Sequence, residues 1–186
     1  MFDCFGVLVR EGWFAFLDTY FADDPNKHQQ AVDGMSRMGS GLMGHDEFIA
    51  YLAELAGISY QATEDILTDN PPNENLFNYI EKSLKPHYKL AILSNAGADR
   101  TVQLFGAHRA GLFDAVVLSH LVGTVKPDPE IYRITAQKLG VTVGECLFID
   151  DLQRYCDAAL NVGMQAIVHD GSTSVTIAKI EEQLHA

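Results

Sequence analysis

The sequence predicts an α/β fold, a Rossmann-like doubly wound parallel sheet that carries a small all-helical insertion. Three observations lead to this prediction. From about residue 87 onward, short apolar runs typical of buried strands alternate with amphipathic helical segments. The stretch from about 10 to 72 shows helical periodicity and contains no convincing strand. Polar residues capable of chemistry directly follow the apolar runs, at the positions where an open parallel sheet binds its ligands.

The helical insertion is predicted over residues 10–72, between a short first core segment, residues 1–9, and the remainder of the core, residues 73–186. Apolar side chains recur at helical spacing in two stretches: Trp13, Phe16, Leu17 and Tyr20, and then Phe48, Leu52 and Leu55. Gly57 is suited to end the second of these helices. Gly39–Ser40–Gly41 is interpreted as a turn of the insertion, not as a phosphate-binding loop.

The remainder of the core begins with a helix and continues with alternating strands and helices. The first helix is predicted from the spacing of Leu76, Ile80 and Leu84. Apolar runs predict four strands, over residues 88–93, 115–118, 146–149 and 164–168. Between the second and third strands, Asp128 can cap a helix, Pro129 suits its first position and Gly140 can end it. This alternation predicts a parallel sheet covered by helices on both faces.

The charge of the chain restricts the classes of partner. The sequence has 13 Lys and Arg residues and 25 Asp and Glu residues, a formal net charge of −12. This charge argues against nucleic acid, because binding to a phosphate backbone needs clustered positive charge. A small phosphorylated substrate stays compatible with it, since a bound divalent cation can invert the local field. No apolar stretch reaches the roughly 18 residues of a membrane span, so no membrane partner is expected.

Length and cysteine content indicate the general class of protein. A chain of 186 residues is suited to one domain with a modest insertion, and we expect a monomer or a homodimer. The three cysteines, Cys4, Cys146 and Cys156, are odd in number and are not spaced as CxxC. We therefore expect no disulfide framework, and we expect a reducing, cytoplasmic location.

The residues with the clearest chemical potential lie just past the apolar runs. Asp3 follows Met1–Phe2, and Asp150 and Asp151 follow the run 146–149. Ser94 follows the run 88–93, and Lys126 lies in a loop further along the chain. Carboxylates, a hydroxyl and an ammonium at one edge of a sheet indicate a carboxylate nucleophile, a hard cation and an anionic substrate.

Four segments carry a family resemblance. They occur in the order Asp3–Cys4–Phe5–Gly6–Val7–Leu8, Leu93–Ser94–Asn95, Val125–Lys126–Pro127–Asp128–Pro129 and Phe148–Ile149–Asp150–Asp151. With these segments the chain resembles the haloacid dehalogenase-like hydrolase superfamily. The helical insertion after the first segment resembles the subgroup that has a small helical cap over a Rossmann-like core. The resemblance implies Mg²⁺-dependent hydrolysis of a small phosphorylated metabolite.

The resemblance also implies roles for individual residues. Asp3 would be the nucleophile that attacks phosphorus and forms an aspartyl-phosphate, which water then cleaves. Asp3, the backbone carbonyl of Phe5 and Asp151 would hold Mg²⁺. Asp150 would be a second carboxylate ligand or a partner in the outer shell of the metal. Gly6 would let the chain turn sharply beside the nucleophile.

Substrate binding would fall to three residues of the second and third segments. Ser94 would donate a hydrogen bond to a phosphoryl oxygen, helped by the backbone N–H groups of Asn95 and Ala96. Lys126 would pair with both the nucleophile Asp3 and the phosphoryl group. Ser94, Asn95 and Lys126 are therefore the predicted substrate-binding residues, and Asp3, Ser94 and Lys126 the predicted catalytic ones.

Two positions depart from the family pattern. Phosphatases of this family usually carry a second aspartate two positions after the nucleophile, where this chain has Phe5. That aspartate is a general acid, and a positioned general acid is worth about 10²–10⁴ in rate. We therefore expect a slow phosphatase, a good leaving group or a proton from another source. Tyr155 stands where the subgroup often has Asn. This departure concerns the outer shell around the metal site, not the metal ligands themselves.

Phe5 keeps two alternatives open. A 2-haloacid dehalogenase releases a halide, which leaves without a proton, so Phe5 suits it. In such enzymes, however, the fourth segment resembles Ser–Ser–Asn, and the reaction needs no metal. A catalytically silent domain that binds a partner is the other alternative. The set of Asp3, Lys126, Asp150 and Asp151 favours the phosphatase over both.

The first strand is short. Only Met1 and Phe2 precede Asp3, whereas a central strand needs about five residues. We expect either a start annotated too late or a shortened form of the protein. Added upstream residues should raise the stability of the fold, because unpaired backbone groups on the neighbouring strands are costly.

Overall fold

The computed structural model describes residues 1–39, 42–96 and 99–185. These residues separate into two compact units: a core, Met1–Val9 with Pro71–Ala186, and a helical unit, Arg10–Asn70. Pro71 and Pro72, which the sequence analysis assigned to the helices, lie in the core unit because Val9 forms an antiparallel bridge with Pro72. Residues 40 and 41 of the predicted turn lie outside the described residues.

The helical unit contains α1 (Gly12–Tyr20), α2 (Pro25–Gly39), α3 (His45–Ala56) and α4 (Tyr60–Thr68). Its own apolar core includes residues of α1, α2 and α3 and of the connections between them: Phe16, Leu17, Phe21, Ala31, Met43, Phe48, Ile49 and Leu52. Helix α1 packs closely on α4. The two helices leave no room for a side chain at Gly12, where a Cβ atom would lie 2.0 Å from the carbonyl oxygen of Ile66. Helix α3 ends at Gly57, whose φ of +73° is the left-handed conformation expected for this position.

The core unit contains four strands and six helices among its described residues. The strands are β1 (Ala91–Ser94), β2 (Ala115–Leu118), β3 (Leu147–Asp150) and β4 (Gln165–Val168). The helices are α5 (Glu74–Tyr79), α6 (Thr101–Ala110), α7 (Ser119–Val122), α8 (Pro129–Leu139), α9 (Gln153–Asn161) and α10 (Thr173–Leu184). Helix α5 continues as a π-helical turn, Ile80–Leu84, and a 3₁₀ turn, Val143–Glu145, precedes β3.

The paired strands of the described residues are all parallel. Strand β1 pairs with β2, and β3 pairs with β4. Phe2 forms parallel bridges with Ile92 of β1 and Ile149 of β3, so the first segment lies between these two strands. The spatial order is therefore β2, β1, the first core segment, β3, β4.

The apolar residues of the strands alternate between two cores, one on each face of the sheet. Phe2, Ile92 and Ile149 belong to a core that includes residues of α5, α6 and α10. Leu93 and Phe148, one position along each strand, belong to a second core with residues of α8 and α9. Because successive side chains of a strand point to opposite faces, helices cover both faces. The predicted α/β fold with a Rossmann-like core is confirmed.

The amino-terminal group of Met1 is buried at the edge of the sheet opposite the carboxyl ends of the strands. It donates a hydrogen bond to the carbonyl oxygen of Leu147 at 2.8 Å, and burial lowers its pKa to about 5. A cavity of about 320 Å³ adjoins this group, with Leu90, Cys146 and Ile180 among its lining residues. The expected late start or shortened form of the chain stays a prediction.

Two further features bear on the composition-based expectations. Cys4, Cys146 and Cys156 are all buried in the core unit, and none of these three described residues forms a disulfide. None of the described helices has the combination of length and apolar character that crossing a membrane requires.

Candidate active site

Three of the predicted site residues lie at the carboxyl edge of the sheet. Ser94 is the last residue of β1 and Asp150 the last of β3. Asp3 directly follows Phe2, which pairs with both strands. Because the strands are parallel, their carboxyl ends meet at one edge, where α/β sheets bind ligands.

Three carboxylates converge at this edge. Asp3, Asp150 and Asp151 each offer an oxygen atom, and the three atoms lie within 4.8 Å of one another. Asp3 and Asp150 are buried and Asp151 is half-buried. Ionised carboxylates this close repel one another, so they either take up a proton or need positive charge beside them. Oxygen donors of this kind are what Mg²⁺ prefers, so the residues present fit that cation.

Lys126 supplies part of the positive charge. Its Nζ atom lies 2.9 Å from Oδ1 of Asp3 and 2.6 Å from Oδ2 of Asp150, and the lysine side chain is 1% exposed. One ammonium among three carboxylates leaves two negative charges uncompensated. A divalent cation would neutralise them.

Burial dominates the electrostatics of the cluster. Burial raises the pKa of Asp3 to about 7, with Lys126 opposing the rise and Asp150 adding to it. Burial, together with the charge of Asp150, raises the pKa of Asp151 to about 6. Burial alone would lower the pKa of Lys126, but the charges of Asp3 and Asp150 outweigh it and the pKa is raised. The ammonium therefore stays charged, and a bound cation would favour the ionised form of both aspartates.

The carboxylate of Asp3 is held through one of its two oxygens. Oδ1 accepts hydrogen bonds from the backbone N–H of Cys4, at 2.7 Å, and from Nζ of Lys126. Oδ2 accepts none from the described part of the chain. A fixed carboxylate with one uncommitted oxygen has the geometry that a nucleophile or a metal ligand requires.

Both oxygens of Asp150 are committed to protein donors. Oδ2 accepts from Nζ of Lys126, and Oδ1 accepts from the backbone N–H of Leu152 at 2.9 Å. These bonds fix the lysine between Asp3 and Asp150. They favour the outer-shell role among the two roles predicted for Asp150.

Gly6 permits the turn beside the cluster. Its φ is +81°, a conformation that glycine adopts without strain. A Cβ atom at this position would lie 2.6 Å from the carboxyl carbon of Asp151. The sharp turn predicted at Gly6 is therefore confirmed, and its close approach to Asp151 adds a second requirement for glycine. Phe5 lies in the same turn and is bridged to Val9, and the ligand role of its carbonyl stays a prediction.

Asn95 holds the loop that carries Lys126. Its Nδ2 donates to the carbonyl oxygen of Lys126 at 3.0 Å, and its Oδ1 accepts from the backbone N–H of the same lysine at 2.8 Å. Sequence reasoning considered only the backbone N–H of Asn95 and missed this function of the side chain. The adjacent Ser94 is buried, and its hydroxyl makes no hydrogen bond to a described residue, which leaves it open to a ligand.

The backbone N–H predicted to assist at Ala96 is already engaged. It donates to the hydroxyl of Ser119 at 3.1 Å, so the expectation for Ala96 needs correction. Sequence reasoning missed Ser119. It directly follows the apolar run 115–118, so the rule that identified Ser94 also identifies Ser119.

Tyr155 is the other residue whose contribution was missed. The centre of its ring lies 4.8 Å from Nζ of Lys126. Its hydroxyl accepts a hydrogen bond from Nδ2 of Asn95 at 3.3 Å, and its carbonyl oxygen accepts one from the hydroxyl of Tyr132 at 2.9 Å. The position noted as a departure from the family pattern therefore supports the lysine of the site.

Comparisons with known proteins identify the family of the chain. A family model described as haloacid dehalogenase-like hydrolase matches residues 1–163. A curated relative, "Phosphatase MT3486" of Mycobacterium tuberculosis, is 31% identical over 123 residues, which are 64% of this chain and 53% of that protein. The chain thus spans about half the length of this relative.

Solved structures share the fold. A predicted hydrolase of the same family from Porphyromonas gingivalis is 26% identical with a TM-score of 0.63, and the match covers 100% of this chain and 96% of that one. A dehalogenase with an intermediate complex is 19% identical, with a TM-score of 0.65 and coverage of 90% and 82%. A family enzyme from Bacteroides thetaiotaomicron, in complex with magnesium and inorganic phosphate, is 22% identical, with a TM-score of 0.51 and coverage of 90% and 91%.

Proposed function

The chain belongs to the haloacid dehalogenase-like hydrolase family, and on that premise we propose that it is a magnesium-dependent phosphatase that hydrolyses a small phosphomonoester through Asp3. One observation carries the proposal. The carboxylates of Asp3, Asp150 and Asp151 converge within 4.8 Å, and Lys126 is ion-paired to two of them. The curated relative named as a phosphatase and the neighbour with magnesium and phosphate support it.

Asp3 performs the covalent step. One carboxylate oxygen attacks phosphorus, the bond from phosphorus to the ester oxygen breaks, and the released alkoxide takes a proton from solvent. Water then attacks the aspartyl-phosphate, which restores the carboxylate and releases inorganic phosphate. Lys126 holds Asp3 in place throughout, and the hydroxyl of Ser94 donates a hydrogen bond to a phosphoryl oxygen.

The cation would be held by Asp3 and Asp151, with Asp150 orienting Lys126 from outside. When bound, Mg²⁺ neutralises phosphoryl oxygens and so lowers the barrier to attack by an anion. Lys126 and Gly6 keep the two ligand carboxylates in place, the first by an ion pair and the second by leaving room for Asp151.

Phe5 defines the substrate by its leaving group. No acidic side chain is available at this position to protonate the departing oxygen, and a positioned acid is worth about 10²–10⁴ in rate. Esters whose alcohol is itself acidic, such as aryl phosphates, are therefore the best substrates. The function of the helical unit as a cap over the core, the monomeric or homodimeric state and the cytoplasmic location stay predictions.

The same residue favours a second candidate. A 2-haloacid dehalogenase needs no proton for its leaving halide, so Phe5 costs it nothing. A binding domain without catalysis is the third reading. The acidic cluster distinguishes them, because a dehalogenase or a silent domain has no use for three convergent carboxylates.

An assay with 4-nitrophenyl phosphate separates these candidates. We expect hydrolysis that requires Mg²⁺ and falls at least about a thousandfold in Asp3→Asn. Asp23→Asn, at an exposed aspartate of the helical unit, serves as the matched control and keeps full activity. Halide release from a 2-haloacid without added metal would replace the proposal with the dehalogenase. No hydrolysis of either substrate would favour the silent domain, and activity that survives in Asp3→Asn would reject the nucleophile.

A further inference from the structure

We propose that Arg154 binds a second anionic group of the substrate, so that the preferred substrates are phosphomonoesters that carry a carboxylate or a second phosphate on a short linker. This inference rests on the proposed phosphatase function. It depends on three observations about Arg154: its fixed orientation, its nearness to Lys126, and its lack of an acidic partner among the described residues.

Tyr155 fixes the orientation of Arg154. The guanidinium carbon lies 4.8 Å from the centre of the tyrosine ring. One guanidinium nitrogen, Nη2, donates a hydrogen bond to the tyrosine hydroxyl at 3.2 Å. Stacking on an aromatic face together with a hydrogen bond restricts a side chain that is otherwise mobile, so less entropy is lost when a ligand binds.

Tyr155 also connects Arg154 to the site. Its ring centre lies 4.8 Å from Nζ of Lys126, the same distance as from the guanidinium carbon. Two cations at that distance from one point are at most about 10 Å apart. The tyrosine hydroxyl accepts from Arg154 and from Nδ2 of Asn95, and Asn95 directly follows Ser94. The guanidinium therefore lies at the carboxyl edge of the sheet, beside the loop that would bind phosphate.

Arg154 is exposed and forms no ion pair with any carboxylate in the described part of the chain. This matters in a protein whose formal net charge is −12, where a cation is readily paired within the protein. Of its N–H groups, only one bonds to Tyr155, so the planar fork keeps donors for a carboxylate or a phosphate.

The spacing sets the kind of ligand. With its phosphoryl group beside Lys126, a substrate would place its second anion against Arg154, at most about 10 Å from the lysine. A linker of about three to six bonds, each roughly 1.5 Å long, covers this span. Small phosphorylated acids and short bisphosphates have these dimensions, and so does a phosphorylated benzoate.

A matched pair of esters tests the proposal: 4-carboxyphenyl phosphate and 4-carbamoylphenyl phosphate, which differ in charge and hardly in shape. We expect the intact enzyme with Mg²⁺ to prefer the carboxylated ester in kcat/KM. Arg154→Gln should reduce that preference about tenfold, the effect of one charge-assisted hydrogen bond, and Arg154→Lys should reduce it less. Arg133→Gln, which removes another exposed arginine of the core, should leave the preference unchanged.

The outcomes separate this inference from the proposed function. Hydrolysis of both esters with no preference, or equal losses for both in Arg154→Gln, would overturn the role of Arg154 and leave the phosphatase standing. Hydrolysis of neither ester would overturn the phosphatase. In that case calorimetry with the two corresponding phosphonates tests the role of Arg154. If Arg154→Gln weakens binding of the carboxylated phosphonate more than binding of the carbamoyl phosphonate, the inference is supported. If the intact protein binds both phosphonates with equal affinity, or the variant weakens both equally, the inference is overturned.

Discussion

Replacing Lys126 by Met is the sharpest test of how the acidic cluster is held together. The lysine side chain is 1% exposed and bonds to Asp3 and Asp150, so its loss leaves two buried carboxylates without their shared partner. Breaking a buried ion pair on one side costs about 3–5 kcal/mol of unfolding free energy. The cost depends on pH, because the carboxylates can escape it by taking up a proton.

The sign of that pH dependence follows from the pKa values. Burial already raises the pKa of Asp3 to about 7, and removing the ammonium raises it further. In the unfolded chain the same group has a pKa of about 3.9. The folded state therefore binds more protons than the unfolded state, and stability falls as pH rises between these values. We expect a deficit of about 3–5 kcal/mol near pH 8 and a clearly smaller one near pH 5.

Urea unfolding followed by circular dichroism, without divalent cations, measures both deficits. Lys138→Met, at an exposed lysine of α8, is the matched control and should change stability by no more than about 0.5 kcal/mol. A deficit in Lys126→Met below about 1 kcal/mol, or one that is equal at the two pH values, would refute the reasoning, since it would mean that the ion pairs do not compensate the buried carboxylates.

Three further predictions concern the cation, the turn and a buried histidine. Mg²⁺ at about a hundred times its dissociation constant should raise the unfolding free energy by about 2.7 kcal/mol, and Asp151→Asn should abolish the shift in melting temperature; a shift that persists in the variant would contradict the assignment of that ligand. Gly6→Ala should lower the melting temperature and weaken Mg²⁺ binding measured by calorimetry, because the new Cβ atom would meet the Asp151 carboxyl group at 2.6 Å; unchanged affinity would show that the turn yields. Burial lowers the pKa of His169, so the folded pKa lies below the unfolded value of about 6.5 and stability is lost as pH falls below that value. His169→Asn should therefore make the urea unfolding free energy less sensitive to pH over this range. An unchanged dependence of the unfolding free energy on pH would contradict this prediction.

The sheet and the positions of the acidic residues could be predicted because both depend on local sequence. An apolar run followed by a polar residue places that residue at the end of a strand, and parallel strands bring such ends together. Asp3, Ser94 and Asp150 were found in this way. Lys126 was noted as an ammonium in a loop further along the chain, and the family resemblance gave it a role, pairing with Asp3 and the phosphoryl group, that neither periodicity nor strand position indicates.

Strand boundaries were less predictable. The apolar run 88–93 predicted a strand that begins at Tyr88, whereas β1 begins at Ala91 and includes Ser94. The backbone N–H of Leu90 donates to Oδ2 of Asp114 at 2.8 Å. The Leu90 N–H that a longer strand would pair with backbone is therefore bonded to a side chain 24 positions away. No local sequence pattern predicts this contact.

The supporting side chains of the site depend on distant contacts and escaped prediction. Asn95 holds the backbone of Lys126 across 31 positions, and Tyr155 reaches Asn95 across 60. Each residue is unremarkable in its own segment, and only the folded chain brings it to the lysine. Ser119 is the exception, since its place after the run 115–118 was visible in the sequence.

The burial of all three cysteines in the core gives this protein a built-in reporter. A thiol reagent attacks the thiolate, and burial raises the pKa of the Cys146 thiol and raises that of Cys156 to about 12. Labelling at neutral pH therefore proceeds only when the sheet opens, so its rate measures the opening of the core in a native sample. The helical unit contains no cysteine, so its own fluctuations are silent in such an experiment, and a single cysteine introduced there would make a second, independent probe.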